Sequence, residues 1–285
     1  MRCQLLLATT VLLLLPPIAY SRAYFLRPQR TATSRSLFAG IEYQRQARSQ
    51  PRPVMIHIVK IDLQTAGLRL LVTPQSPQNS RTTSAFVREF KTKLAINASY
   101  FSPFYDRTPW DYYPRSGDRT VPMGETISNG DRHTPPLEKW PALCISQDNT
   151  ARIIDTGSCP NGTMNAVAGR EFLVSNGRVT AEKFADDEQK PYPRVAVGID
   201  RSGTKLWLIV IDGKQPLYSE GVTKVELSQL MAKLGVDTAI NLDGGGSTTL
   251  VVDTGNGATV LNAPIHAKVP MNERPVANQL GFYLP

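Results

Sequence analysis

The chain has 285 residues, 41% hydrophobic and 20% charged, an ordinary globular balance with room for one large domain or two small ones. Its formal charge is +8, or +6 without Arg2 and Arg22, a modest excess that suits an anionic ligand or an envelope surface. No stripe mixes Lys and Arg with stacking aromatics, so nothing points to nucleic acid as a partner.

Residues 1–23 read as an export signal. Arg2 is the charged start, Leu5 to Leu15 the apolar core, and Ser21-Arg22-Ala23 the small-residue cleavage region. That core is short for a bilayer span, although an uncleaved signal anchor is the alternative. Cys3 precedes the apolar run and is badly placed for a lipoprotein anchor. The expected location is therefore secreted or periplasmic. Residues 24–37, with Arg27, Arg30 and Arg35, read as a basic linker, and residues 38–285 as the folded domain.

A first strand is expected around Gly40-Ile41-Glu42-Tyr43. Val54 to Leu63 and Leu68 to Val72 read as a β-hairpin across Ala66-Gly67, with His57 on the strand surface. Ser84 to Leu94 carries Val87, Phe90 and Leu94 at helical spacing. It leads into the strand LAINASYF, 94–101. From Ser102 to Trp140 the chain is rich in Pro, Gly, Asp, Arg and aromatics, which predicts a long loop with little regular structure. Tyr105, Trp110, Tyr112 and Tyr113 there suit a sugar, whose apolar faces pack on aromatic rings.

Cys144 and Cys159 follow; two cysteines in an exported chain permit a disulfide, and two separate buried thiols are the other reading. Without clustered His they make no zinc site. Val195–Ile199 and Lys205–Ile211 form a hairpin across Arg201-Ser202-Gly203, with Arg194 at its entrance and Asp212-Gly213 at its end. Val225 to Leu234 is a helix opened by the capping pair Thr223 and Glu226. It runs into the strand Thr238 to Leu242. Ala-Ile-Asn thus recurs at 95–97 and 239–241, with Asn97 and Asn241 where a strand meets a loop. The fold class expected is α+β, with a mixed, largely antiparallel sheet core, a few packed helices and a long aromatic loop.

NLDGGGSTTL, 241–250, is the densest motif. Three glycines remove every Cβ from a turn, so a ligand can approach the backbone and bare amides can form an anion nest. Asp243 puts a carboxylate at its edge. A plain hairpin turn into Thr248–Val252 is the simpler reading.

Together with PRVAVGID (193–200), VIDGK (210–214), SEGVT (219–223), AINASYF (95–101) and NERPVANQLGFYL (272–284), this motif resembles the phosphodiester glycosidase family, in the family's order and over roughly residues 38–285. The resemblance implies a hydrolase for sugar-1-phosphodiesters. Two features depart from the family: Ala98-Ser99-Tyr100 stands where a Gly-Gly pair is common, and the 103–140 insert is long and aromatic. Both fall where a substrate would be chosen.

A phosphate leaving group departs as an anion, so such a site needs positive potential on phosphate and a carboxylate near the anomeric carbon. Asp243 is expected as base or nucleophile. Arg194 is expected to clamp phosphate bidentately, with Arg274 as a second clamp. Amides of Gly244, Gly245 and Gly246, with Ser247, would form an oxyanion-type cradle. Asp212 is the candidate partner carboxylate and Asn97 a hydrogen-bonding catalytic residue. Asn241, Tyr100, Ser219 and Gly221 complete the substrate-binding set from the matched motifs. His133 and His266 sit in loop-like sequence, so no His evidently activates Ser247 as a nucleophile. No cofactor is expected; a divalent cation beside Asp243 has suitable oxygen ligands but no dedicated loop spacing. Asn97-Ala98-Ser99 and Asn161-Gly162-Thr163 match the glycosylation pattern, relevant in a eukaryotic secretory host. The partner expected is a carbohydrate or glycosyl phosphate in an envelope setting. The rival enzyme is a conventional glycoside hydrolase with Asp212 and Asp243, or Glu125 and Asp243, as its two carboxylates. The rival without chemistry is a glycan-binding envelope protein.

Overall fold

The computed structural model describes residues 24–76, 80–156, 158–180 and 190–284. The expected leader, 1–23, lies outside them. Three antiparallel sheets and two α-helices of eight and ten residues make up most of the described fold. The fold is therefore largely β, and the α+β expectation holds only roughly. No described helix is long and apolar enough to cross a membrane.

The largest sheet has eight strands, in the order Thr33–Phe38, Ile41–Arg48, Val54–Asp62, Lys205–Ile211, Arg194–Ile199, Thr238–Leu242, Phe172–Ser175 and Arg178–Val179. A five-stranded sheet runs Ala258–Val260, Leu250–Asp253, Leu94–Asn97, Gln279–Tyr283 and Arg69–Val72. A third, also of five strands, runs Asp131–Thr134, Thr126–Ser128, Thr163–Ala168, Ala142–Ser146 and Ala151–Ile154. Their inner faces meet in one core: Val195, Val197, Leu208 and Leu242 from the first, Leu70, Ile96 and Phe282 from the second, Leu143 and Val167 from the third.

Each large layer is also covered on its outer face. The Lys224–Lys233 helix puts Leu227, Leu230 and Met231 on Ala196, Ile209 and Ala239. The Thr83–Phe90 helix puts Phe86 and Val87 on Leu71, Ala95 and Val251. This double burial explains why strands such as RVAVGI read as continuous apolar runs instead of alternating ones. The longer helix starts where its sequence signals it: the Thr223 side chain accepts from the Glu226 amide, and Glu226 accepts from Thr223. Such a cap contributes about 1 kcal/mol. The shorter helix begins after Thr82 and stops before the expected Leu94, because Lys91 takes a left-handed conformation at φ 56°.

Several expectations are corrected. Val54–Asp62 and Arg69–Val72 are not a hairpin: the first pairs with Ile41–Arg48 and Lys205–Ile211, the second with Gln279–Tyr283. The chain changes sheets between them. The basic 24–37 segment is not simply a linker, since Thr33–Phe38 pairs with Ile41–Arg48. The 102–140 region contains a hairpin of the third sheet, Thr126–Ser128 with Asp131–Thr134. His57 is not on the surface. It is fully buried on the inner sheet face, between the Tyr43 hydroxyl at 2.9 Å and Asp212 at 3.2 Å. The expected hairpin across 201–203 is present. Cys144 and Cys159 form a disulfide inside a small core with Ile127 and Ala166.

Candidate functional site

The triglycine segment is where the chain passes from one sheet to the other, not a hairpin turn. Thr238–Leu242 pairs with Arg194–Ile199 in the large sheet, whereas Leu250–Asp253 pairs with Leu94–Asn97 in the second. A turn of 3₁₀-helix, Gly245–Ser247, joins them. Each glycine is needed for a different neighbour. A Cβ on Gly244 would lie 2.5 Å from the Pro193 carbonyl oxygen. Gly245 sits at φ +60° against the Tyr192 ring, and a Cβ on Gly246 would lie 2.5 Å from an Arg274 guanidinium nitrogen. Part of the expected amide cradle is already engaged within the chain. The Gly245 amide donates to Pro193, that of Ser247 to Gly244 and that of Thr248 to Gly245. The glycines also let Pro193, Tyr192 and Arg274 approach the turn closely.

The groups converge on a cavity of about 380 Å³. Val195 pairs with Leu242, so Arg194 and Asp243 stand opposite each other where their strands end, and both line the cavity. Arg194 is buried; its Nε donates to the Val222 carbonyl and Nη2 to that of Lys190. Lys214 reaches the same wall from the turn after Asp212-Gly213 and donates from Nζ to the Tyr192 hydroxyl at 2.7 Å. Arg274 also lines the cavity. Its Nε donates to His266 Nδ1 at 3.2 Å, Nη1 to the Ser247 hydroxyl at 3.4 Å and Nη2 to Asp106 Oδ2 at 2.7 Å, while its plane lies 4.4 Å from the Phe104 ring centre.

Burial pushes the Asp243 carboxyl up to about 6, against the opposing pull of a Ser247 hydrogen bond, the Arg274 charge and the Gly244 amide. A carboxylate that keeps its proton until near neutrality is poised to exchange one. His266 goes the other way. Burial first, then Arg274, lowers it to about 4 despite Asp106. It is therefore a neutral ring, and since Nδ1 accepts from Arg274 its proton sits on Nε2. It orients the arginine.

Asn241 and Tyr100 add uncharged polar groups to the lining. Asn241 Nδ2 donates to the Tyr100 hydroxyl at 2.8 Å and, at 3.4 Å, to Glu171. Glu171 is paired in turn with the buried Lys224. Burial pushes the Tyr100 hydroxyl well above its ordinary range, reinforced by the Glu171 and Asp243 charges, so it stays a neutral donor. A larger groove of about 930 Å³ adjoins on the other side of Glu171, but neither Asp243 nor the three cavity cations line it.

Other expected residues stand outside the cavity. Asn97 is buried behind it: Nδ2 donates to the Asp243 carbonyl at 2.6 Å and Oδ1 accepts from the Thr249 amide at 3.0 Å, so both ends hold the turn. Asp212 is also buried, accepting from Asn262, the Ala263 amide and His57. It supports the Lys214 turn and does not face Asp243 across the cavity. Ser219 donates to the Asp212 carbonyl and accepts from the Met55 amide. Gly221, at φ +95°, packs on the Tyr192 backbone. Glu125 immediately precedes the Thr126–Ser128 strand of the disulfide sheet, where it pairs with Arg132 and accepts from the Cys159 amide. Neither expected carboxylate pair is assembled. No group of three or more His, Cys, Asp or Glu suited to a metal ion occurs among the described residues.

The model of a family described as phosphodiester glycosidase matches residues 90–283. The chain belongs to the phosphodiester glycosidase family. No curated protein matches it at the sequence level. Among solved structures, the catalytic domain of zebrafish N-acetylglucosamine-1-phosphodiester alpha-N-acetylglucosaminidase, auto-inhibited by its pro-peptide, is similar at TM-score 0.62 and 18% identity, covering 93% of each chain. A hypothetical protein from Synechocystis is similar at TM-score 0.68 and 14% identity; 90% of this chain is covered, spanning 64% of the Synechocystis chain. A putative exported protein from Burkholderia pseudomallei is similar at TM-score 0.55 and 15% identity, over 82% of this chain and 74% of its own. At these identities the likenesses concern the fold.

In this chain the departure at Ala98-Ser99-Tyr100 has a structural reason. The Ser99 hydroxyl accepts from the Ala168 amide and from Asn278, tying the second and third sheets together, and Tyr100 then enters the cavity. Sequence reasoning missed Asp106, Phe104, Tyr192, Lys214 and Glu171. Lys214 carried a signal, lying inside the matched VIDGK motif. Asp106 and Phe104 were hidden in the insert, and nothing local marks Glu171.

Proposed function

We propose that this chain is an exported hydrolase that cleaves a sugar-1-phosphodiester in envelope or extracellular glycans. The observation that carries it is one raised carboxylate, Asp243, lining a single cavity with three cations, Arg194, Lys214 and Arg274. The phosphate lies against the cations. Guanidinium donors hold its oxygens, and the positive potential stabilises charge that grows on the leaving oxygen. Asp243 serves the sugar: it takes a proton from a water attacking the anomeric carbon. The bond from that carbon to the phosphate oxygen breaks, and a phosphate monoester leaves with the bonding pair. Such a leaving group needs no strong general acid, which accords with the cavity. Its other carboxylate, Asp106, is already bound to Arg274. Tyr100 and Asn241 face the sugar hydroxyls.

The leader and the disulfide favour export, since disulfides persist in oxidising compartments. The conventional two-carboxylate hydrolase is disfavoured by the separate duties of Asp212 and Glu125. The test is turnover of N-acetylglucosamine 1-(methyl phosphate) by wild type and Asp243→Asn in heavy-oxygen water. The expected result is label in the sugar and loss of turnover in the variant. Label in phosphate, or an unaffected variant, refutes the mechanism.

A further inference from the structure

The insert that departs from the family folds into a second hairpin, Tyr105–Asp106 paired with Tyr112–Tyr113. Its base belongs to the cavity: Phe104 and Asp106 line it, and both engage Arg274. The other strand is seated too, with Tyr112 edge-on to His266 at 4.6 Å. The hairpin is therefore pinned to the same arginine that faces the phosphate. Its tip is ordered by its own bonds. The Arg107 and Thr108 amides donate to the Asp111 carbonyl, the Asp111 amide donates to Thr108, and Arg115 donates to the Trp110 carbonyl. Tyr105 and Tyr113 stack at 5.9 Å, and Arg107 covers Tyr105 at 4.8 Å, which stiffens the ribbon.

On this braced tip Trp110 is 76% exposed, and Phe104 at the base is 46% exposed. A large ring held out in water by a rigid hairpin gains nothing for the fold. A lone exposed apolar residue is unremarkable, but two aromatics on one pinned element leading out of a cavity form a surface with a use.

We propose that this hairpin is a carbohydrate-binding subsite for the sugar beyond the scissile phosphate. The direction follows from the order of groups. Asp243 takes the sugar being released and Arg274 the phosphate, while Phe104 and then Trp110 lie further out along the insert. Trp110 is four residues from Asp106, a reach of at most about 14 Å, within the length of a short oligosaccharide. The apolar face of a pyranose covers the Trp110 ring, and the exposed Arg107 guanidinium, which already pairs with Asp111 through Nη1, turns its remaining donors to the hydroxyls. The occupant is the glycan of the leaving group, so the enzyme favours phosphodiesters that link two sugars over those with a small alcohol.

This inference rests on the proposed activity, and its test separates the two. Wild type, Trp110→Ala and Trp110→Phe are assayed on N-acetylglucosamine 1-phosphate esterified either to methanol or to trisaccharides of glucose, mannose or galactose. At least one trisaccharide ester should be the better substrate. On it Trp110→Ala should raise KM, lowering kcat/KM by about 2- to 12-fold, the range for one aromatic contact. Trp110→Phe should restore most of that, and the methyl ester should be unaffected. Equal losses on both esters, or no trisaccharide preferred over methanol, overturns the subsite. If wild type cleaves none of them, the activity reading fails by itself. Calorimetric titration with the trisaccharide 6-phosphates then decides the subsite: binding weakened by Trp110→Ala supports it, and binding unchanged or absent overturns it. An unchanged melting temperature checks that the variants fold.

Discussion

Asp243→Asn should make this protein more stable above neutrality while abolishing its activity. The carboxyl's ordinary value is 3.8, and burial raises it to about 6 in the folded chain. Between these values the native state holds a proton that the unfolded chain has released. Stability therefore falls as pH rises through the window and levels off above it. At about 1.4 kcal/mol for each tenfold change in proton affinity, the gap amounts to about 3 kcal/mol. Asparagine does not titrate, so the variant lacks that loss. Urea unfolding at one-unit steps from pH 4 to 8 measures the difference between the two proteins. It should shift by about 2.4 kcal/mol in the variant's favour across pH 4–7, the rest of the gap lying below pH 4, and then stay nearly constant. For a chain of this size that corresponds to about 2–4 °C in melting temperature for each kcal/mol. Parallel stability profiles with a constant offset would show that Asp243 ionises normally in the fold, and the reasoning about its environment would be wrong.

The same ionisation sets a rate profile. A base must be unprotonated, so kcat/KM should rise about tenfold from pH 5 to pH 7 with a midpoint near 6; a flat profile over that range refutes Asp243 as the base. Gly246→Ala places a methyl against the buried Arg274 guanidinium and should cost about 1–3 kcal/mol in urea unfolding. It should also weaken substrate binding, seen as a raised KM; unchanged stability and kinetics would mean that Arg274 moves freely. Asp212→Asn should keep kcat within a few-fold yet lower the melting temperature, because Asp212 is buried outside the cavity lining and braces a turn. A loss of kcat matching that of Asp243→Asn would contradict this. Replacing Cys144 and Cys159 by Ser opens a loop with a separation of 15 residues, which should cost about 3 kcal/mol in denaturant unfolding.

Local features were readable wherever one segment carried the whole signal. The Thr223–Glu226 capping box, the hairpin across 201–203 and the strand before Asp243 needed no distant partner to be recognised. Pairings between distant segments were not readable. Val54–Asp62 and Arg69–Val72 look like neighbours in the chain, but each is buried on both faces, so alternation does not tell which sheet either joins. His57 read as a surface residue for the same reason.

The family was legible in the sequence alone, and so was the Asp before three glycines, because ordered motifs are properties of the chain itself. Only tertiary structure decided what those glycines do. The Gly245 amide bonds to Pro193, and the missing side chains let Pro193, Tyr192 and Arg274 close in. Tertiary structure also separated Asp243 from Asp212 and Glu125, and brought Asp106 and Lys214 to it. The reason is physical: proximity across two sheets depends on which strands pair and where the chain changes sheets, and no short stretch of residues encodes that.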